Sequence, residues 1–198
     1  NETQPYILHK NFETVSPFTA TFPDLSEKYN IQKSKKIILG VATNWDNRKG
    51  LNDFIELAKY LSDDYIIVIV GLKKEQKKGL PNNIIGIERT ENIEELANWY
   101  TISEVLFNPS KEESFSLVTI ESMACGTPVI AYNNSAVKEL IKVENKGLLL
   151  DVDTSLEINI KHIIDYLKDV QKIDRKLIEK YSVENMTKGY IQLYEDKM

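Results

Sequence analysis

The sequence predicts a doubly wound α/β fold: a mainly parallel sheet of about six strands, helices on both faces, and extra helices at the C-terminus. Two observations carry this. Short, nearly continuous apolar runs rich in Ile and Val recur along the chain, as strands covered on both faces require. Between them lie stretches whose apolar residues repeat at helical spacing.

Strands are predicted at Lys36–Ala42, Tyr65–Val70, Asn83–Ile87, Glu104–Asn108, Pro128–Tyr132 and Gly147–Leu150. Leu51, Phe54, Ile55, Ala58 and Leu61 mark a helix over Gly50–Leu61, after the first strand. Asn92 followed by Glu95 resembles a capping box that opens a helix with Ile93, Leu96 and Trp99 on its inner side. Leu117–Ala124 reads as a further helix, stopped by Gly126 and Pro128. From Thr154 onward helices take over. One has the stripe Leu156, Ile160, Ile163, Ile164 and Leu167, and another has Val183, Met186, Tyr190, Leu193 and Tyr194. The first thirty residues, with Ser16-Pro17 and Pro23-Asp24, read as irregular or extended chain. The expected division is a lead-in or interdomain segment over 1–35 and one ligand-binding domain over 36–198.

Composition narrows the function. The chain has 198 residues, 42% of them hydrophobic and 28% charged, enough to bury a core without disulfide or metal staples. Lys plus Arg number 25 against 30 Asp plus Glu, a net charge of −5, which argues against nucleic acid as the partner. Cys125 is the only cysteine and reads as a small buried apolar residue, so no disulfide scaffold is possible. The longest apolar run, Tyr65 to Leu72, falls far short of the roughly 20 residues that cross a bilayer. The N-terminus lacks a signal peptide and an initiating Met, so a piece of a longer, cytoplasmic protein is expected. Lys73, Lys74, Lys77 and Lys78 read as a solvated face, with contact to an anionic membrane surface as the alternative.

In an open parallel sheet, ligands bind beyond the carboxyl ends of the strands, near the point where strand order reverses. Two loops stand out there, Thr43–Gly50 after the first strand and Asn108–Leu117 after the fourth. Both run into helix N-termini, which attract anions. GxGxxG and GxxxxGK[ST] phosphate motifs are absent. His9 and His162 lie in no cluster with ligand spacing, so no metal is expected. Trp45 reads as a loop anchor rather than a base-stacking platform. Glu113 and Glu121 draw attention through context, since Glu104 and Glu112 share their spacing. Glu113 sits on the loop after a strand, and Glu121 lies about one turn into the following helix, leaning toward its N-terminus. A ligand with phosphates on the N–H groups of Ser116, Leu117 and Val118 would meet these carboxylates with its sugar hydroxyls.

The run Pro109-Ser110, Glu113-Ser114-Phe115-Ser116-Leu117, Glu121-Ser122-Met123-Ala124-Cys125-Gly126-Thr127-Pro128-Val129-Ile130-Ala131 resembles retaining GT-B-fold glycosyltransferases of family four, the group 1 type. The resemblance extends from about Lys36 to the C-terminus and includes Lys49-Gly50 and Lys146-Gly147-Leu148-Leu149. It points to the C-terminal, donor-binding half of bacterial surface or capsular polysaccharide enzymes, a Rossmann-like domain forming one half of a GT-B fold. It implies that Glu121 binds the ribose hydroxyls of a nucleotide sugar and that Glu113 contacts the donor sugar. Lys49 and the amides of Ser116–Val118 would offset charge on the departing diphosphate. Arg48 and Phe115 would line the donor site, with Glu88, Arg89 and Thr90 toward the nucleobase.

The resemblance further implies retention of configuration, no cofactor beyond the nucleotide sugar and no metal. The N-terminal acceptor domain of the same enzyme would be the partner, with location in the cytoplasm or at the inner membrane surface. The chain departs from the pattern at several positions. Val41 or Asn44 stands where the family has an Arg, and Ser114 and Ser116 stand where it prefers Gly. Ser135-Ala136 replaces a small pair that is often two glycines. The alternatives are a non-catalytic nucleotide- or sugar-binding module and a GT-B nucleotide-sugar epimerase. The domain alone is expected to be inactive.

Overall fold

The computed structural model describes residues 24–113, 115–133, 135–141 and 147–174, with 181, 185, 187, 188, 191, 192 and 195 beyond them. His9, Ser114, Lys146 and the stripe Val183, Met186, Tyr190, Leu193 and Tyr194 lie outside the described residues.

Six strands form one sheet: β1 (Lys36–Val41), β2 (Tyr65–Val70), β3 (Ile84–Ile87), β4 (Val105–Asn108), β5 (Val129–Tyr132) and β6 (Leu148–Leu150). Every adjacent pair is parallel, and the order is β3-β2-β1-β4-β5-β6. Order reverses between β1 and β4, where Leu39 pairs with Leu106. The helices are α1 (Leu25–Lys28), α2 (Leu51–Ala58), α3 (Ile93–Ile102), α4 (Leu117–Ala124), α5 (Ser135–Leu140) and α6 (Leu156–Tyr166).

Alternation along the strands sorts the core into two layers. Ile37, Leu39, Val68, Val70, Leu106, Val129 and Ala131 face one way, onto Trp99 and Tyr100 of α3, Ile120 and Met123 of α4, and Val137 of α5. Ile38, Ile67, Ile69, Val105, Phe107 and Ile130 face the other way, onto Phe54 and Leu57 of α2 and Ile160 and Ile163 of α6. This two-sided cover is why the strands read as unbroken apolar runs. Each Val, Leu, Ile, Phe or Met side chain so buried contributes roughly 1.5–3 kcal/mol over exposure.

The structure corrects the sequence reading in places. The stretch read as irregular contains α1, capped by Asp24, whose carboxylate accepts from Ser26 N–H at 3.0 Å. Leu25 and Ile31 belong to the core. A helix of four residues has too little periodicity to read, and its start signal is Asp24 alone. α2 ends at Ala58, short of Leu61, and α5 was not predicted. At Asn92 the side chain accepts from Glu95 N–H at 2.7 Å, as a capping box requires. The Glu95 carboxylate reaches back one residue further, to Glu91 N–H at 2.7 Å, because Lys28 and Tyr29 draw its other oxygen.

α4 ends in a Schellman motif: Gly126, at φ +80°, donates to Met123 O at 2.9 Å, and Thr127 N–H donates to Ser122 O at 3.0 Å. Cys125 is buried at the end of this helix, as expected.

Candidate functional site

The loops after β1 and β4 flank the reversal of strand order and touch one another. In the first, Asp46 Oδ1 accepts from the N–H groups of Arg48 and Lys49 at 2.9 and 3.1 Å, an Asx turn that shapes the approach to α2. Trp45 ties the loop to β2 by donating from Nε1 to Val70 O at 2.9 Å, with its ring edge-on to Phe54. It is a buried anchor, as its sequence context suggested. Gly50, at φ +73°, closes the loop, and a Cβ there would sit 2.7 Å from Pro109 O in the β4 loop. Lys111 N–H donates to Arg48 O at 3.0 Å, a second junction between the loops.

This junction brings two predicted residues together. Lys49 Nζ lies 2.6 Å from Glu113 Oε1, with the two side chains 33% and 11% exposed. A cation and a carboxylate from opposite sides of the reversal thus share one place at the carboxyl edge of the sheet. Arg48 does not join them. Its guanidinium turns to Asp46 Oδ2, 3.0 Å from Nη2, and its side chain is largely exposed. That bond holds the Asp46 carboxyl below its ordinary range.

Beside this pair α4 begins. The N–H groups of Leu117 and Val118 find no acceptor among the described residues, while those of Thr119 and Ile120 return to Ser116 O. Ser116 itself is buried and left-handed, at φ 62° and ψ 67°. Phe115 is 49% exposed, with its ring toward Tyr181.

Glu121, one turn on, is half-buried and accepts from Tyr100 Oη at 2.9 Å. Burial pushes its carboxyl above the ordinary value, and the Tyr100 bond pulls part of the way back. Tyr100 lies wholly inside, its hydroxyl pushed well up by burial and by the Glu121 charge. Glu113 and Glu121 therefore have different partners. Arg89 is exposed and Thr90 half-buried, both just past β3, and Glu88 pairs with Lys77 at 3.4 Å.

Sequence reasoning missed Asp46, Tyr100, Asn108 and Thr119. Asp46 had a readable signal, an acidic residue opening a polar loop. Asn108 had one too, a polar residue ending a buried strand. Nothing in the sequence tied Tyr100 to Glu121, since that contact depends on how α3 lies against α4.

Among the described residues there is no group of three or more His, Cys, Asp or Glu placed to hold a metal ion. Nor, among the described residues, is any helix long and apolar enough to cross a membrane.

Comparison with known proteins gives a consistent picture. The family described as glycosyl transferases group 1 matches residues 21–185. The O-antigen chain mannosyltransferase RfbU of Salmonella typhimurium is 27% identical over 166 residues, covering 79% of this chain and 46% of that protein. The C-terminal domain of a glycosyl transferase group 1 family protein (LpcC) from Francisella tularensis superposes with a TM-score of 0.61 at 24% identity, covering 80% of this chain and 93% of that one. Anabaena Alr3699/HepE, solved in complex with UDP, gives 0.69 at 19% identity, covering 87% and 51%. At these identities the superpositions speak to fold. The chain spans about half the length of the curated relatives it matches.

Proposed function

This chain belongs to the glycosyl transferases group 1 family, and from that premise we propose that it is the donor-binding half of a retaining glycosyltransferase. The enzyme would move a sugar from a nucleoside-diphosphate sugar to an acceptor in building a cell-surface polysaccharide. The observation that carries this is the pairing of Lys49 with Glu113 across the strand-order reversal, beside the N–H groups that open α4 and meet no acceptor among the described residues.

In this reading the diphosphate lies against the amides of Ser116–Val118, and Lys49 offsets the negative charge that grows as the sugar leaves. Glu113, released by Lys49, takes hydroxyls of the donor sugar. Glu121, oriented by Tyr100, takes those of the ribose. Arg48, Phe115, Arg89 and Thr90 border the donor. Residues 36–198 form the donor domain, and 1–35 lead in from an acceptor-binding N-terminal half, with Leu25 and Ile31 packed onto the donor side. The enzyme works in the cytoplasm, at the inner membrane surface where such acceptors sit. A polysaccharide relative and a fold neighbour solved with UDP support this reading.

The test is a thermal-shift and calorimetric panel of UDP, GDP and ADP with their sugars. One of them at ~100 Kd should add roughly 2.7 kcal/mol of stability. A melting temperature unmoved by the whole panel would overturn the reading. Because Lys49 and backbone amides hold the diphosphate, EDTA should leave that binding unchanged, and a loss with EDTA would assign part of the job to a metal.

A further inference from the structure

Two described residues other than glycine have left-handed backbone, Asn30 and Ser116. Asn tolerates this region because its short polar side chain bonds locally, whereas Ser at such a position needs support from its surroundings. Ser116 is also the N-cap of α4, yet its side chain makes no capping hydrogen bond to the helix. Its hydroxyl is engaged elsewhere.

Asn108 Nδ2, at the carboxyl end of β4, donates to Ser116 Oγ at 2.9 Å and to Thr119 Oγ1 at 3.5 Å. Ser116 Oγ and Thr119 Oγ1 are 2.8 Å apart. Asn108, Ser116 and Thr119 are 7%, 5% and 0% exposed. The three side chains close a buried triangle, with one corner on the sheet, one on the loop and one on the helix. A buried polar triangle of this kind fixes geometry because each member would be left unsatisfied by movement. The Ser116 hydroxyl is thereby turned inward, and its backbone is held where the next two N–H groups meet no acceptor among the described residues.

We propose that Asn108 and Thr119 are positioning residues, which lock Ser116 in a conformation natural to glycine and so present the Leu117 and Val118 amides to a diphosphate. The proposal rests on the donor-site reading above. It goes beyond that reading in assigning the shape of the phosphate cradle to three side chains behind it, none of which need touch the ligand.

A four-variant cycle tests it: wild type, Asn108→Ala, Ser116→Gly and the double substitution. Each variant is titrated calorimetrically with UDP, GDP or ADP, whichever the wild type binds most tightly. Melting temperature without ligand is measured alongside. Asn108→Ala should weaken nucleotide binding about tenfold, the loss expected for one hydrogen bond's worth of positioning. Ser116→Gly keeps the backbone amide and removes the side chain that the triangle holds, so its own affinity is the reference for the second background. In the Gly background, Asn108→Ala should change affinity by no more than about twofold, because glycine takes the left-handed region unaided. Melting temperatures should show the same coupling.

Equal loss of affinity from Asn108→Ala in both backgrounds would overturn the proposal. So would loss of binding from Ser116→Gly alone, which would make the hydroxyl a ligand contact. Coupled melting temperatures with uncoupled affinities would show a purely structural triangle and overturn it as well. If the wild type binds none of the three nucleotides, the donor-site reading fails and the positioning role falls with it. The ligand-free melting cycle then still reports whether the triangle holds Ser116, so the two failures are told apart. Should Asn108→Ala fail to fold, Thr119→Val carries the same cycle with the same expected coupling.

Discussion

Lys49 and Glu113 form a partly buried ion pair, so each compensates a charge the other would leave poorly solvated. Glu113→Ala removes a competitor for Lys49 while sparing the cation that a diphosphate needs. Affinity for a plain nucleoside diphosphate should therefore hold or rise, while affinity for the sugar-bearing donor falls. Glu121→Ala should weaken both forms alike, by about 1.5–3 kcal/mol, the range for a hydrogen bond to a charged group. Calorimetry on the two ligand forms checks both, and equal losses from Glu113→Ala would contradict the division of roles. Asp53 gives a prediction that needs no ligand. It is 8% exposed on α2 and accepts from Tyr132 Oη at 2.7 Å. Burial pushes its carboxyl above the ordinary 3.8, against the opposing pull of Tyr132 and Lys111. The folded chain thus holds that proton more tightly than the unfolded chain. The associated stability is complete below 3.8 and lost as pH rises through the raised value. Asp53→Asn keeps an acceptor for Tyr132 and has no proton to lose. From about pH 4 to 7 its melting temperature should gain on the wild type's, and parallel curves would rule this out.

At the scale of elements, what the sequence reveals depends on whether an element's residues are dictated by its own packing. The β1, β2, β4 and β5 runs are buried along most of their length, so their predicted ends fall within a residue of those observed. The C-terminal end of Leu117–Ala124 was readable because Gly126 and Pro128 stop it by backbone geometry. α1 and α5 were not readable, since helices of four and six residues complete too few turns to show a stripe. The two site loops were placed correctly by the strands before them, but their joining was invisible, because it depends on a close approach between Gly50 and Pro109. Gly50→Ala is therefore informative. Its φ of +73° and a 2.7 Å approach to Pro109 O both penalise a Cβ. The expected cost is about 1–3 kcal/mol, with a larger loss of nucleotide affinity than of stability, because Lys49 is the preceding residue. Gly79→Ala is the control, with φ +78° but open space around the Cβ. Denaturant melts and titrations on both should separate backbone strain from loop displacement.

For the molecule as a whole, the parallel α/β class followed from alternation of strands and helices, but the order β3-β2-β1-β4-β5-β6 did not. Order is set by which face each crossover helix covers, and Phe54 on one face and Tyr100 on the other look alike as isolated letters. That order matters because it parts the connections after β1 and β4 in opposite directions, and in such sheets ligands bind in the crevice at that point, here where Lys49 and Glu113 meet. One lobe supplies one wall of such a crevice. The chain spans about half the length of the relatives it matches, and in the proposed reading the acceptor side is the work of the other half of such an enzyme. Holding two reactants in register accounts for about 7–11 kcal/mol of barrier lowering in favourable cases, and a lone donor lobe has nothing to hold the second reactant with. This chain by itself should bind the nucleotide sugar yet neither transfer nor hydrolyse it at a measurable rate. The measurement is release of free nucleoside diphosphate from the donor it binds, with and without simple sugar or lipid-linked acceptors. Release only when the acceptor-binding half is supplied in the same polypeptide is the expected result. Steady release from this chain alone would mean that Lys49, Glu113 and the α4 amides already complete a reaction centre, and that the second lobe selects the acceptor rather than enabling the chemistry.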